Sequence, residues 1–496
     1  MPTKYFFRVA LALAAMSLLS GCAVGPDFRH PTLPAASGYT AQPLTATSSM
    51  ANTVGGEEQR FDMGKDISQQ WWALFKSPPL NALVEKSLKA NPSIDAAKAA
   101  LRQAREYVAA QVGFYYPTVQ AGYAVSRTKD SGTLSPVLSS GQEPYTLHTA
   151  QVNVGFVPDV FGSNRRQVES LQAQADFQRF QLEAIYLTLT SNVVTAAIQE
   201  ASLRAQISAT LSIIEIETKM RDQLQKQFEV GYVAGTDLAA QEAALAQVQQ
   251  TLPPLQKQLA QNRDLLAALA GRFPNEELEE MFNFAALSLP QELPVSLPSK
   301  LVEQRPDVRA AEEQLHSASA EVGVAVAARL PNIILSADLG STATNISRLF
   351  TSGTGFWGLA AGLTQPIFQG GTLLHRQRAA EAAYDQAAAQ YRSTIITAFQ
   401  NVADTLHTIQ SDADALKAAV AFEQAAKRSL DLARKQFEVG YINYLSLLSA
   451  EQAYQQSLIN LAQAQANRFA DTAALFMALG GGWWNDTYSP TASEAS

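Results

Sequence analysis

The sequence predicts a mostly α-helical chain with a transmembrane β part, arranged as two copies of one unit. Three observations carry this. Gln227-Phe228-Glu229-Val230-Gly231-Tyr232 recurs in register as Gln436-Phe437-Glu438-Val439-Gly440-Tyr441, which marks an internal repeat. Helix breakers are missing over long stretches: the chain has 22 Pro, yet none falls between Asp159 and Leu252 or between Ile367 and Ser489. Gly is absent from Asn164 to Val230 and from Thr372 to Val439. Stretches of that length without breakers read as continuous helix. Just before each of them the pattern switches to strict alternation, the period of strands.

The N-terminus is a targeting segment. Lys4 and Arg8 precede an apolar run from Val9 to Leu19, and Leu19-Ser20-Gly21-Cys22 follows. That is a signal peptide over residues 1–21 with a small-residue cleavage site. The only Cys of the chain stands at its end. The stretch resembles a bacterial lipobox, which implies a covalent lipid on Cys22, and Ala23 after it resembles the outer-membrane sorting pattern. Residues 22–75 then form a lipid-anchored N-terminal arm. Trp71 and Trp72 near its end suit either a headgroup-level belt or packing of the arm against helices, and packing is the expectation because no strand lies near them in sequence.

The first repeat is expected over 76–285, with a short helix, a second helix, two strands and a long helical hairpin. Val119, Ala121, Tyr123 and Val125 alternate with polar or small residues, as do Ala150, Val152, Val154 and Phe156. In the helix that follows, Leu182, Ile185, Leu189, Val193, Ala196, Leu203, Ile207, Leu211 and Ile214 are spaced by three, four or seven, a coiled-coil-like seam. At 1.5 Å per residue such a helix is roughly 100 Å long. A linker rich in Pro spans 286–300, and the second repeat, 301–482, carries the same elements. Ile333, Leu335, Ala337 and Leu339 alternate there, then Trp357, Leu359, Ala361 and Leu363. Residues 483–496 are a tail. The Ala-rich run Ala379–Gln390 is expected to let neighbouring helices approach closely.

Four strands of about ten residues have the length of tilted membrane-spanning strands. Four cannot close a barrel, since about eight is the natural minimum. A membrane reading therefore requires association: a dimer supplies eight strands, a trimer twelve.

Several function classes fall away. A net charge of −8 argues against a nucleic-acid partner, which needs a basic face. One Cys rules out an intrachain disulfide or a Cys-based zinc cluster. The five His (30, 148, 316, 375 and 407) are scattered, form no metal pair at helical spacing, and read as solvated or interface residues. Gly353-Thr354-Gly355-Phe356-Trp357-Gly358 fits the dinucleotide fingerprint formally but opens a strand instead of a helix, so phosphate-binding geometry is missing. No catalytic residue, metal ligand or cofactor is expected apart from the lipid on Cys22, and the chain is not read as an enzyme.

Cys22-Ala23-Val24-Gly25-Pro26-Asp27-Phe28, Gln70-Trp71-Trp72-Ala73-Leu74-Phe75, Arg305-Pro306-Asp307-Val308, Gln365-Pro366-Ile367-Phe368 before Gly370-Gly371, the two Phe-Glu-Val-Gly-Tyr turns and Ala478-Leu479-Gly480-Gly481-Gly482-Trp483 follow one another in order. In that order they resemble the TolC-like outer-membrane factors of tripartite efflux pumps, lipoprotein branch, over nearly the whole mature chain. The resemblance implies a homotrimer: a twelve-stranded β-barrel in the outer membrane, continued by a long periplasmic α-helical barrel. It implies a passive exit duct for small molecules, partnered by a periplasmic adaptor and an inner-membrane transporter of the RND class. The alternatives are the exit duct of a type I protein secretion system, with the same architecture, and a structural periplasmic coiled-coil lipoprotein, which would have no use for the strands.

The resemblance also selects candidate residues. Val230, Gly231 and Tyr232, with Val439, Gly440 and Tyr441, form the helix tips that would meet the adaptor. Asp237, Tyr444, Leu445, Ser446 and Ser449 would line the periplasmic gate. Asp237 matches a family carboxylate. Ser446 and Ser449 stand where the family often has one or two Asp, and Ile442 where some members have Arg, so the expected gate is held by packing of Tyr441, Tyr444 and Leu445 and not by a charged ring.

Overall fold

The structure, a computed structural model, describes residues 23–32, 38–129 and 144–485. The expected signal peptide, the expected lipidation site Cys22, part of the loop after the first long strand and most of the C-terminal tail lie outside these residues. In chain order the elements are β1 (Arg60–Met63), α1 (Pro78–Ala90), α2 (Pro92–Val112), β2 (Thr118–Thr128), β3 (Tyr145–Phe156), α3 (Ser163–Glu229), α4 (Gly235–Gln249), α5 (Leu252–Leu269), β4 (Glu292–Val295), α6 (Pro298–Gln304), α7 (Pro306–Ala327), β5 (Asn332–Ala343), β6 (Gly355–Thr364), α8 (Thr372–Glu438) and α9 (Tyr444–Ala478). Both α3 and α8 have 67 residues, as the unbroken composition of those stretches requires.

The chain divides into two compact units that cut across the sequence repeats. One takes residues up to His30, Ala100–Gln178 and Ala311–Tyr391, and the other takes Pro31–Ala99, Arg179–Ala310 and Arg392–Ser496.

The first unit holds a four-stranded antiparallel sheet in the order β2-β3-β5-β6. The two hairpins come from different repeats and are joined by the β3–β5 pairing, with Val152 opposite Leu339 and Gly155 opposite Ser336. Each hairpin runs on into a long helix through a sharp corner. After β3 the corner uses Gly162 at φ +77°, and Asp159 closes it: its carboxylate accepts the Asn164 and Arg165 backbone N–H groups at 2.9 and 2.8 Å. A carboxylate there satisfies orphan donors and faces the positive end of the helix.

The second unit is held by an apolar core that the N-terminal arm completes. Trp71 is 1% exposed and stacks on Phe476 at 5.2 Å, while Phe75 and Phe284 both pack on Phe469. The packing reading of Trp71 and Trp72 therefore holds, and both are buried.

Two features depart from expectation. The linker 286–300 contains β4, which pairs in parallel with β1, Arg60 opposite Glu292, and α6 begins within it at Pro298. The return arm of the first hairpin is not one helix. It breaks at Gln250–Thr251 into α4 and α5, whereas α9 runs unbroken for 35 residues. Pro253 and Pro254 cause the break, since each lacks an N–H and its ring crowds the carbonyl four residues back.

Candidate functional site

The strand register sorts side chains onto two faces, because residues paired across strands point the same way. Ala121, Val152, Leu339 and Trp357 form one row across all four strands, and Val119, Val154, Ala337 and Leu359 form the next. Leu359 and Trp357 are about three-quarters exposed, at 76% and 74%. The opposite face carries Gln120, Asn153, Asp338 and Gly358 in one row and Ala124, Thr149 and Thr342 in another. Gly358 there leaves room for Asp338, whose carboxylate would stand 2.6 Å from any Cβ added at 358. An exposed apolar face backed by a polar one is the pattern of a sheet between lipid and a water-filled lumen. Among the described residues its outer strands β2 and β6 each have one neighbour, so each presents a row of backbone donors and acceptors on its outer side.

The two turns end the long helices identically. Gly231 at φ +80° and Gly440 at φ +72° are left-handed. Tyr232 N–H donates to the Gln227 carbonyl and Gly231 N–H to that of Phe228, at 2.8 and 2.9 Å. Tyr441 and Gly440 repeat this with Gln436 and Phe437. These are Schellman closures, which require a residue tolerant of positive φ. They thrust Val230, Tyr232, Val439 and Tyr441 into solvent, with both tyrosines 84% exposed.

Next to the tips, the expected gate residues separate. Leu445, Ser446 and Ser449 are exposed, Asp237 is half-buried, and Tyr444 is buried. The serines serve α9 itself: Ser446 donates N–H and Oγ–H to Asn443 Oδ1 in a helix cap, and Ser449 Oγ donates to the Leu445 carbonyl at 2.9 Å. Of the three residues expected to pack in the gate, Tyr441 and Leu445 are exposed in the single chain and Tyr444 is buried within it. Tyr444 turns inward onto Leu224 and Leu238 and edge-on to Phe437.

Around Tyr444 lies a polar cluster that sequence reasoning missed. Tyr444 Oη donates to Gln241 Oε1. Gln241 Nε2 donates to the Glu217 carboxylate at 2.6 Å and to the Glu217 carbonyl at 2.9 Å. Glu451 lies beside Glu217, close enough for each carboxyl to feel the other's charge, and 3.5 Å from the Arg434 guanidinium. Glu217 and Glu451 are 3% and 5% exposed. Burial raises the pKa of both, Glu451 to about 7, where the neighbouring Glu217 charge adds to it and Arg434 opposes it. Burial also raises that of Tyr444. A signal was present: Glu217 falls three residues after Ile214, the next place in the apolar seam.

The residues just after Cys22 are also seated, within the first unit. Arg166, its side chain 5% exposed, donates to the Val24 carbonyl at 3.1 Å and pairs with Asp27 at 2.6 Å and Glu169 at 2.7 Å. Val24 N–H donates to the Phe161 carbonyl. Phe28 stacks on His316 at 4.3 Å, and His316 lies between Glu313 and Glu169. The Glu313 hydrogen bond is the main cause raising the His316 pKa, with Glu169 adding and burial opposing. His30 meets Glu312 at 2.7 Å, and the His148 ring bonds Tyr123 Oη. His30, His148 and His316 are thus tied into side-chain contacts, and spacing along the sequence hid partners such as Glu312 and Glu169 that lie distant in it.

The model of the outer membrane efflux protein family matches residues 83–272 and 297–481. The pyoverdine export outer membrane protein OpmQ of Pseudomonas putida is 29% identical over 462 residues, 90% of this chain and 95% of that protein. The toluene efflux pump outer membrane protein TtgF, also of Pseudomonas putida, is 26% identical over 509 residues, 99% of each chain. The solved outer-membrane channel OprN superposes with a TM-score of 0.83 at 27% identity, covering 93% of this chain and 100% of that one. With the two-faced sheet, the long helices and a match that spans both repeats, the chain belongs to the outer membrane efflux protein family.

Proposed function

We propose that three copies of this chain form the outer-membrane exit duct of a tripartite efflux pump, conducting small molecules passively to the exterior. The observation that carries the reading is the sheet: an apolar face, a polar face and two unpaired edges on only four strands. Backbone groups left unpaired in hydrocarbon cost several kcal/mol each, about eight strands is the least that closes, and three chains bring twelve. Edge β6 of one copy then pairs with edge β2 of the next. The partners are a periplasmic adaptor, met at the tips Val230–Tyr232 and Val439–Tyr441, and an energised inner-membrane transporter of the RND class. A lipid on Cys22 anchors the chain, and the ordered seat of residues 24–28 against Arg166 and Phe161 supports a fixed attachment there. Small-molecule export is favoured over protein secretion because the relatives named above export pyoverdine and toluene. The chemistry is that of a duct: no reacting group is used.

The test is mass and conduction together. Purified protein in detergent should run at three times the chain mass and open steady conductances in a planar bilayer. A monomer that keeps its strand content would refute the reading. Radiolabelled palmitate should enter the wild-type protein and not Cys22→Ser.

A further inference from the structure

Within the chain the acids near the tips, Glu217 and Glu451, face other side chains and not solvent. Glu217 sits on α3 and Gln241 on α4, the two arms of the first hairpin. Arg434 sits on α8, and Tyr444 and Glu451 on α9, the arms of the second. A hydrogen bond crosses from one hairpin to the other, Tyr444 to Gln241, and beside it the buried Glu217 and Glu451 face each other across the same seam. The ionisable groups facing one another here are Glu217, Glu451, Arg434, Tyr444 and, through its field on Tyr444, Asp237.

Charge counting sets the protonation. Two carboxyls share the field of one cation, Arg434, which is itself about one-third exposed and lies 3.5 Å from Glu451. Neither oxygen of Glu451 has a hydrogen-bond donor from the surrounding side chains or backbone. A second buried negative charge would stand uncompensated beside the first, and that costs far more than keeping one proton. The acids therefore titrate as a pair.

We propose that Glu217 and Glu451 form a proton-operated clasp between the two hairpins, which holds the tips together while the pair keeps a proton and loosens them once both carboxyls ionise. Loosening follows because ionised carboxylates gain hydration only by moving apart, and moving apart separates α3 from α9. The sign is that of raised acids. Pairing is at full strength below the ordinary carboxyl value of 4.5, weakens as pH rises through it toward about 7, and is constant above. That the clasp governs a passage rests on the duct reading above. The clasp itself does not.

Amide hydrogen exchange on the full-length protein, after correction for intrinsic rates, reads the clasp without needing conduction. For wild type, protection over residues 213–241 and 430–454 should fall by up to about 100-fold between pH 5 and pH 8. Glu451→Gln, which keeps the shape and cannot ionise, should show a flat profile, and so should Glu217→Gln, each checked for unchanged oligomer mass. A wild-type profile as flat as the variants', or variants that keep the wild-type profile, would overturn the clasp. Bilayer conductance of the same samples separates the readings: conductance rising from pH 5 to pH 8 in wild type alone supports gating, and pH-independent conductance with pH-dependent exchange removes it.

Discussion

At the scale of single residues, the left-handed glycines carry the sharpest demand. Nothing lies within 4 Å of a Cβ built on Gly231 or Gly440, so substitution there meets backbone strain and no clash. Alanine at either position should cost about 1 kcal/mol locally and leave export working. Proline cannot adopt φ near +75°, and it removes the N–H that closes the turn. Gly440→Pro should abolish drug export while the assembled trimer still forms, as seen by comparing resistance with cross-linked mass. Full resistance in that mutant would remove the tips from the mechanism. Both turns were legible as helix ends because a Gly follows a long Gly-free stretch. The inward turn of Tyr444 was not. Sequence places it one residue from Leu445, and only helix packing decides which of the two faces the core.

Among elements, the N-terminal arm shows how far periodicity reaches. Trp71 and Trp72 belong to no periodic segment: Trp71 stacks on Phe476, distant in sequence, and Trp72 packs edge-on to Trp71. Trp71→Ala should lower stability by about 3–5 kcal/mol, the cost of emptying a fully buried aromatic site. The readout is the thermal transition of the detergent-solubilised protein, and an unchanged midpoint would show that the arm is not part of the core. The strands and long helices were legible because composition and alternation both change at their borders. The β1–β4 pair was not, since four-residue strands fall below any period and Pro294 within one of them argues against strand. The break between α4 and α5 was announced by Pro253 and Pro254, whose cost to a helix outweighs the apolar spacing on either side.

The whole molecule is governed by which face of the sheet meets which solvent. Leu359 and Asn153 lie on opposite faces, so one substitution can be placed on each. Leu359→Arg should hinder membrane assembly by about 2–4 kcal/mol if it sits near mid-bilayer depth, whereas Asn153→Arg should assemble normally and alter conductance alone. Heat-resistant oligomer on gels separates the two. Equal assembly of both variants would mean that Leu359 does not face lipid. This face assignment was already legible in the alternation of the strands, but their order was not. The β3–β5 pairing joins segments from different repeats, and no local pattern in either strand names its partner.

The free edges of β2 and β6 also have a genetic meaning. In the proposed trimer every seam is made by two different chains, so a ring has no spare seam and one faulty member spoils all three. A chain with an edge made unable to pair, for example by proline at Leu359 on β6, should therefore be harmful in the presence of the normal gene. Were the two made in equal amounts and mixed at random, roughly one ring in eight would be wholly normal. Drug sensitivity in cells expressing both copies would then approach that of cells lacking the gene. Such dominance is expected of a closed ring and not of a chain that works alone.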